Sequence, residues 1–498
     1  MPCISVQDHN KYQTVPFTEG ESLLAVLQRE GFSVNAPCGG KGKCGNCTVT
    51  VITADGSSSV CACKTPATEG CTVVLGNTQD DLSWNFTPGS SIVLPARFDG
   101  LGAAVDLGTT SIAISLFDLK TGEKLGTSGA WNEQRAFGAD VITRIAYTMD
   151  HSDGLERLSS TVRRQIRQMT EDLCREHHRS WEDVRRIFLA GNTTMQHLFA
   201  GLPAESIAAA PFRPYTTFDT PEEYALDGKS VHMSPCVSGY VGGDITAGLS
   251  ALDLDLAEGN HLFLDVGTNG EMALGGKNGF LTCAVACGPA FEGAGISCGM
   301  PAATGAINRF HLTEDQLLFD VIGGGLPKGI CGSGLLDLAA CLVSLGYITA
   351  DGQLLSEGED GEEGVFTIAD GVSLTGRDVR QLQLAKAAVA AGIRILLEES
   401  GLQVSDIDTL WLAGGFGNRL DPKSAVTLGM LPEALLGKIR PAGNTSLAGA
   451  ETALLSEEKS RLLKIQSMCS YLELSSSAKF SEAFVEEMAF PYESDWEE

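Results

Sequence analysis

Strand-like and helix-like patterns alternate along this chain. CISVQDHNKYQTVPF (3–17) reads as strand, SLLAVLQREG (22–31) as helix, and CTVTVITA (47–54) as strand again. From residue 101 a longer pattern begins. LGAAVDLGTTSIAISLFDLKTGEKLGTSGAW (101–131) reads as strand, glycine turn, strand, a DLKTGE hairpin and strand. HLFLDVGTNGEMALGGKNGFLTCAVA (261–286) reads the same way, with GGKNG as the hairpin turn. Each copy then reaches a buried strand ending in glycine, in RRIFLAGNTT (185–194) and DTLWLAGGFGN (408–418). Two copies of a strand-rich unit with helices between them predict an internally duplicated α/β fold with a cleft between its halves. The shorter N-terminal pattern predicts a small α+β unit. Between them, 76–100 is rich in turn residues and has no helical period, so it reads as a link.

The chemistry of the N-terminal unit lies in its cysteines. Cys38, Cys44 and Cys47 are spaced x5 and x2, and Cys61 and Cys63 follow in VCACKT. Three thiolates in a tight loop with a fourth from a distant strand is how plant-type [2Fe–2S] clusters are held. Gly39, Gly40, Gly42 and Gly45 let the loop turn backbone N–H groups toward the sulfurs. Structural zinc usually takes two C-x2-4-C pairs, and the x5 gap fits that poorly. The fourth ligand is either Cys63 or Cys61. Cys63 is preferred because ACKT resembles the last ligand motif of such ferredoxins; on one extended strand the two would point the same way. Cys3 and Cys71 read as core thiols.

Each D-[LV]-G-T-[TN] turn suits phosphate. Gly108 and Gly267 let backbone amides approach phosphate oxygens, and Thr109, Thr110, Ser111, Thr268 and Asn269 add polar groups, with Gly270 following. Asp106 and Asp265, at strand ends, can hold Mg²⁺ through its water shell or orient a water, and Glu271 is a third carboxylate for the γ-phosphate. KGICGSGLLDLAACLVSLG (328–346) starts a helix at Gly332 and Ser333, either to bind an anion or simply to pack small residues. Cys283, Cys287, Cys298 and Cys331 fit no cluster spacing and read as inert thiols. His197 reads as a packing or polar-network residue.

Composition narrows the class. With 63 acidic against 35 basic residues the net charge is −28, which disfavours nucleic acid and anionic membranes as partners. No apolar run approaches the length of a membrane span. The N-terminus has neither a basic region nor an apolar core, so a cytoplasmic location with fifteen reduced or metal-bound cysteines is expected.

The repeat resembles the acetate and sugar kinase, Hsp70 and actin (ASKHA, RNase H-like) ATPase superfamily over about 101–470. In that resemblance 106–111 and 265–271 are the two phosphate loops, and GYVGGDITAGLSAL (239–252), which contains Asp244, is the first connecting helix. LAGGFGN (412–418) is the adenosine loop, with Gly414, Gly415 and Gly417 against the nucleoside, and GNTSLAGAETALL (443–455) is the second connecting helix. Together with CGGKGKCGNC, AVDLGTTS, AGNTTM, DVGTNGE and AGGFGN, nearly the whole chain is similar to the reductive activators of corrinoid proteins.

That resemblance implies a β-grasp [2Fe–2S] ferredoxin domain (1–82) and a linker (83–100). ATPase subdomains I (101–260) and II (261–475) and an acidic tail (476–498) follow. It further implies ATP and Mg²⁺ as cofactors, a corrinoid methyltransferase-system protein as partner, a low-potential electron donor upstream, and a homodimer. A small domain that some members carry between cluster and ATPase is expected to be absent or reduced. The implied activity is ATP-dependent return of Co(II) corrinoid to Co(I). Three alternatives are an activator of a radical dehydratase or aromatic-ring reductase, a redox-gated clamp, and a sugar kinase with a fused ferredoxin.

Overall fold

A computed structural model describes the chain except for residues 1, 9–10, 33, 35, 37–39, 43–46, 54–55, 76–98, 221–223, 314–315, 356–363, 418, 457–458 and 492–498. Described residues up to Met233 gather into one compact unit, and those from Ser234 onward into a second.

The first unit begins with five strands, β1 (Cys3–Asp8), β2 (Lys11–Pro16), β3 (Thr48–Thr53), β4 (Gly56–Cys61) and β5 (Thr72–Val74), in the order β2-β1-β5-β3-β4. Helix α1 (Leu23–Arg29) is capped by Ser22, whose Oγ accepts the Ala25 N–H at 3.2 Å. It buries Leu23, Leu24, Val26 and Leu27 on a core with Ile4, Val6, Val49 and Val73, which is a β-grasp arrangement.

A six-stranded sheet follows, built from β6 (Leu101–Leu107), β7 (Ser111–Asp118), β8 (Glu123–Trp131), β9 (Val184–Gly191), β10 (Tyr224–Leu226) and β11 (Lys229–Met233) in the order β10-β11-β9-β6-β7-β8. Strands β6, β9 and β11 run parallel, while β6-β7-β8 is an antiparallel meander. The helices are α2 (Val141–Asp150), opened by an Asp140–Thr143 capping box, α3 (Gly154–Glu176) and α4 (Thr193–Ala200). Helix α3 buries Leu158, Val162, Ile166, Met169 and Leu173, a stripe at helical spacing.

The second unit starts with α5 (Gly243–Ala251) and then β12 (His261–Val266), β13 (Gly270–Gly276) and β14 (Gly279–Val285). Two small sheets, β15 (Ala306–Leu312), β16 (Leu317–Val321) and β17 (Gly329–Ile330), then β18 (Val365–Ala369) and β19 (Val372–Thr375), flank α6 (Gly332–Ser344). The long α7 (Gly376–Ser400) leads to β20 (Thr409–Ala413), α8 (Gly414–Gly417), α9 (Pro422–Thr427), β21 (Ile439–Gly443), α10 (Thr445–Ser456), α11 (Lys459–Met468), β22 (Cys469–Tyr471) and α12 (Ala478–Glu486).

The second large sheet runs β21-β20-β12-β13-β14-β22. Its parallel β21-β20-β12 and antiparallel β12-β13-β14 repeat the pattern β11-β9-β6-β7-β8 of the first sheet. The duplication expected from the two D-G-T turns is therefore present, and the fold class is as the sequence implied. Helices α5 and α10 pack so closely that a Cβ on Gly449 would lie 2.1 Å from the Ala247 carbonyl oxygen. The chain after α12 returns to α7: Gln383 Nε2 donates to the Met488 carbonyl at 3.0 Å, Lys386 Nζ donates to that of Ala489, and Phe490 is buried. Among the described residues no helix is long and apolar enough to cross a membrane.

Candidate functional site

In the first unit Asp106, half-buried, is the last but one residue of β6, paired across the sheet with Ala113 and Ala190, and the phosphate turn follows it. Gly108 closes the turn through its N–H to the Ser111 carbonyl at 3.0 Å. A Cβ on Gly108 would sit 2.7 Å from that oxygen, so the turn needs glycine. Three polar residues hold the turn from beneath. Asn132 Nδ2 donates to the Gly108 carbonyl at 2.8 Å, and the Asn132 backbone N–H donates to the Thr110 carbonyl at 2.9 Å. Asn192 Nδ2 donates to Thr109 Oγ1 at 2.8 Å. Arg144, fully buried on α2, donates to the carbonyls of Thr109 and Gly138 and to Gln134 Oε1. Sequence reading missed all three. Asn192 had a local signal, an Asn before Thr-Thr where a helix starts: its Oδ1 caps α4 at the Met195 N–H, 2.9 Å.

In the second unit the hairpin β12–β13 sets Asp265 directly opposite Glu271. Asp244 enters from the first turn of α5. Burial, reinforced by the neighbouring Asp244 and Asp265 charges, raises the Glu271 carboxyl well above the usual range, against a hydrogen bond from Asn269. The Gly267 N–H bonds to the Asn269 carbonyl at 2.8 Å, and Thr268 Oγ1 lies 2.9 Å from Glu292 Oε1. Gly270 is packed against Cys287 and Val285. Gly414, at φ +81°, would place a Cβ 2.3 Å from Asp265 Oδ1 and 2.9 Å from the Val266 carbonyl. Its neighbours differ: Gly415 is exposed, with nothing within 4 Å of its Cβ position, and Gly417 is in ordinary contact with Leu412. The expected phosphate turn and adenosine turn thus meet at Asp265.

Behind them Phe416 stacks on Phe291, ring centroids 4.4 Å apart and 13° between planes. Phe291 in turn supports the start of α6, where a Cβ on Gly332 would meet its carbonyl oxygen at 1.9 Å. Ser333 Oγ donates to the Asn308 carbonyl at 2.9 Å. These contacts show close packing of small residues at the start of α6. Glu292, in the short 3₁₀ segment Pro289–Glu292, was not singled out by the sequence; it is 24 residues from Thr268 and has no periodic signature.

At the cysteine loop, Cys38 and Cys44 lie outside the described residues, whereas Cys47 is buried and Cys63 half-buried. The Cys63 N–H points to Cys47 Sγ at 3.4 Å. Gly40, at φ +78°, has its Cβ position 4.0 Å from Cys63 Cβ. The chain turns after Cys61, with the Lys64 N–H on the Cys61 carbonyl at 3.0 Å, so Cys61 and Cys63 do not share one extended strand as expected. An N–H donor aimed at a sulfur and Gly40 beside Cys63 fit a thiolate-bound cluster.

Among the described residues, no group of three or more His, Cys, Asp or Glu could hold a metal ion. Cys283 and Cys287 are buried, and burial pushes both thiols up. His197 is buried in a polar network, Nδ1 to the Thr193 carbonyl at 2.7 Å and Nε2 accepting the Thr216 N–H at 3.3 Å.

Comparison with known proteins covers nearly the whole chain. Residues 6–68 match a 2Fe-2S iron-sulfur cluster binding domain, 101–257 the RACo middle region, and 259–497 the C-terminal domain of RACo, the ASKHA domain. The middle-region description therefore falls on the stretch read above as the first half of the duplicated fold. A curated relative, the corrinoid activation enzyme RamQ of Eubacterium limosum, is 32% identical over 413 residues, 77% of this chain and 69% of the relative. The [Co(II) methylated amine-specific corrinoid protein] reductase of Methanosarcina barkeri is 28% identical over 72% of this chain and 71% of its own. A solved structure titled reductive activator for corrinoid, iron-sulfur protein superposes with a TM-score of 0.71 at 29% identity, covering 99% of both chains.

Proposed function

The chain belongs to the reductive activators of corrinoid proteins, and from that premise we propose that it couples ATP hydrolysis to one-electron reduction of a Co(II) corrinoid protein. The acceptor is the corrinoid subunit of a methyltransferase system, returned to Co(I). Cys38, Cys44, Cys47 and Cys63 would hold the [2Fe–2S] cluster, which supplies a one-electron donor. One electron leaves the reduced cluster and one reaches cobalt; a low-potential one-electron donor restores the cluster.

The Cys63 N–H, aimed at Cys47 Sγ, stabilises negative charge on that sulfur and so bears on the potential. Plant-type centres lie near about −400 mV. The Co(II)/Co(I) step in this family's chemistry lies lower, so the transfer runs uphill. Each ~100 mV costs about 2.3 kcal/mol for one electron, which is within reach of a site-to-site coupling of ~1–3 kcal/mol.

The observation that supports nucleotide use is the approach of Gly414 to Asp265: the bare glycine leaves room beside a strand-end carboxylate where a side chain would fill it. Asp106 and Asp265 would hold the hydrated Mg²⁺ or orient the attacking water. Glu271, whose carboxyl burial and the neighbouring Asp244 and Asp265 raise, is the third carboxylate beside that water and the candidate for its proton. Gly414, Gly415 and Gly417 would lie against adenosine. Nucleotide binding that favours a state gripping the Co(II) protein, and hydrolysis that releases the Co(I) product, would make the transfer one-way.

The test is stopped-flow cobalt reduction with and without ATP. An Asp265→Ala variant should keep its cluster absorbance and lose ATP-dependent reduction. Equal wild-type rates without ATP would overturn the coupling, and iron counting with EPR separates this reading from activators that share a [4Fe–4S] cluster.

A further inference from the structure

Thr109 and Thr268 occupy the same position in the two copies of the phosphate turn, yet their hydroxyls are bound in opposite senses. In the first unit Asn192 Oδ1 takes the Met195 N–H at 2.9 Å, which fixes the amide so that Nδ2 donates to Thr109 Oγ1 at 2.8 Å. The Thr109 oxygen receives that hydrogen, and its own proton remains to be donated. In the second unit the Thr268 hydroxyl lies 2.9 Å from Glu292 Oε1. The hydroxyl is the donor in that bond, so the Thr268 proton is committed to Glu292 and the turn presents the oxygen lone pairs.

Glu292 is held firmly. Gly293 follows it at φ +78°, with no room for a Cβ against the Met300 backbone, and Phe291 precedes it in the stack with Phe416. A hydroxyl that donates suits an anion; one that accepts suits a cation or the water around it.

We propose that Asn192 and Glu292 are positioning residues that give the two turns different ligands: Thr109 donates to a phosphate oxygen, and Thr268 accepts from the water shell of the divalent cation. This rests on the nucleotide reading above. It assigns the cation requirement to one turn and the bare phosphate contact to the other.

Two near-isosteric variants test it. Asn192→Asp keeps the α4 cap but turns the partner of Thr109 into an acceptor. Glu292→Gln offers Thr268 an N–H and frees its proton. The readout is equilibrium binding of a non-hydrolysable ATP analogue, in EDTA and across a Mg²⁺ series, with Mn²⁺ affinity by EPR as a second measure.

Asn192→Asp should weaken analogue binding about tenfold in both arms, ~1.4 kcal/mol. Glu292→Gln should leave the EDTA arm within about twofold while raising the half-saturating cation concentration about tenfold. Thr268→Val should reproduce that cation shift and Thr268→Ser should not. A mere loss of negative charge at residue 292 would leave Thr268→Val with wild-type cation dependence, which overturns the proposal. So would equal weakening of both arms by Glu292→Gln. Failure of the wild type to bind the analogue in either arm sinks the nucleotide reading itself, a result distinct from these.

Discussion

Replacing Gly414 by alanine separates the contribution of one missing methyl group to stability from its contribution to chemistry. The backbone there has φ +81°, where an L-residue costs roughly 1–2 kcal/mol. The new Cβ would start 2.3 Å from Asp265 Oδ1 and 2.9 Å from the Val266 carbonyl oxygen. Restoring normal contact moves the carboxylate by roughly 1 Å, a misplacement that can cost about 10²-fold in rate. Gly414→Ala should therefore lower the unfolding free energy of the second unit by ~1–2 kcal/mol and ATP hydrolysis by about a hundredfold. Cluster absorbance should be unchanged.

Gly415→Ala, whose Cβ meets nothing within 4 Å, should leave the unfolding free energy within about 0.5 kcal/mol of wild type. Urea unfolding followed by fluorescence, beside steady-state phosphate release, measures both quantities. Wild-type hydrolysis by Gly414→Ala would refute the reasoning, and so would an equal loss of stability at Gly415.

The cluster assignment predicts that Cys63→Ser loses iron and visible absorbance while Cys61→Ser retains both; the reverse pattern in iron analysis would move the ligand to Cys61. Burial depresses the Lys386 ammonium to about 8, against about 10.4 for an unfolded lysine. Between those values the unfolded chain binds the extra proton, so stability rises with pH, by about 2 kcal/mol from pH 7 to 9.5. Lys386→Met should abolish that rise in paired urea titrations; an unchanged slope would show that Lys386 is not its source. The Glu271 carboxyl is raised in the fold, so the unfolded chain loses its proton first and stability in EDTA should fall as pH climbs from about 4.3. Glu271→Gln should flatten that fall in thermal melts between pH 4.5 and 8, and parallel slopes would discount the residue.

Much of the site was legible because its residues lie within a few positions of one another. Asp265 and Glu271 are joined by a tight hairpin, so the strand–glycine turn–strand pattern kept both carboxylates close to one turn, and the pairing of β12 with β13 sets them opposite each other. Gly414 was found by the glycine-rich end of a buried strand, although its contact with Asp265 depends on β20 lying beside β12, a pairing across well over a hundred residues.

The supports under the turns were not legible. Asn192 reaches Thr109 across 83 residues, and Glu292 reaches Thr268 across 24. Hydrophobic periodicity fixes which face of an element is buried, not which polar side chain arrives from another element. Arg144 misleads for a related reason. A charged residue on an amphipathic helix reads as a solvated position, yet it is fully buried because backbone carbonyls of the turn and Gln134 satisfy its guanidinium. Cys61 and Cys63 show the same limit at short range, since a turn between them breaks the alternation that their spacing suggested.

The return of the chain onto α7, with Phe490 buried and the Met488 and Ala489 carbonyls taking side-chain donors, sets an order of assembly. Strands β1 through β11 are all available once Met233 has left the ribosome, so the iron-binding module and its neighbouring sheet can mature during translation. The second unit cannot complete its interior until Phe490 emerges. The unit that contains the stretch matching a 2Fe-2S cluster binding domain can therefore be complete before the second unit has closed its interior.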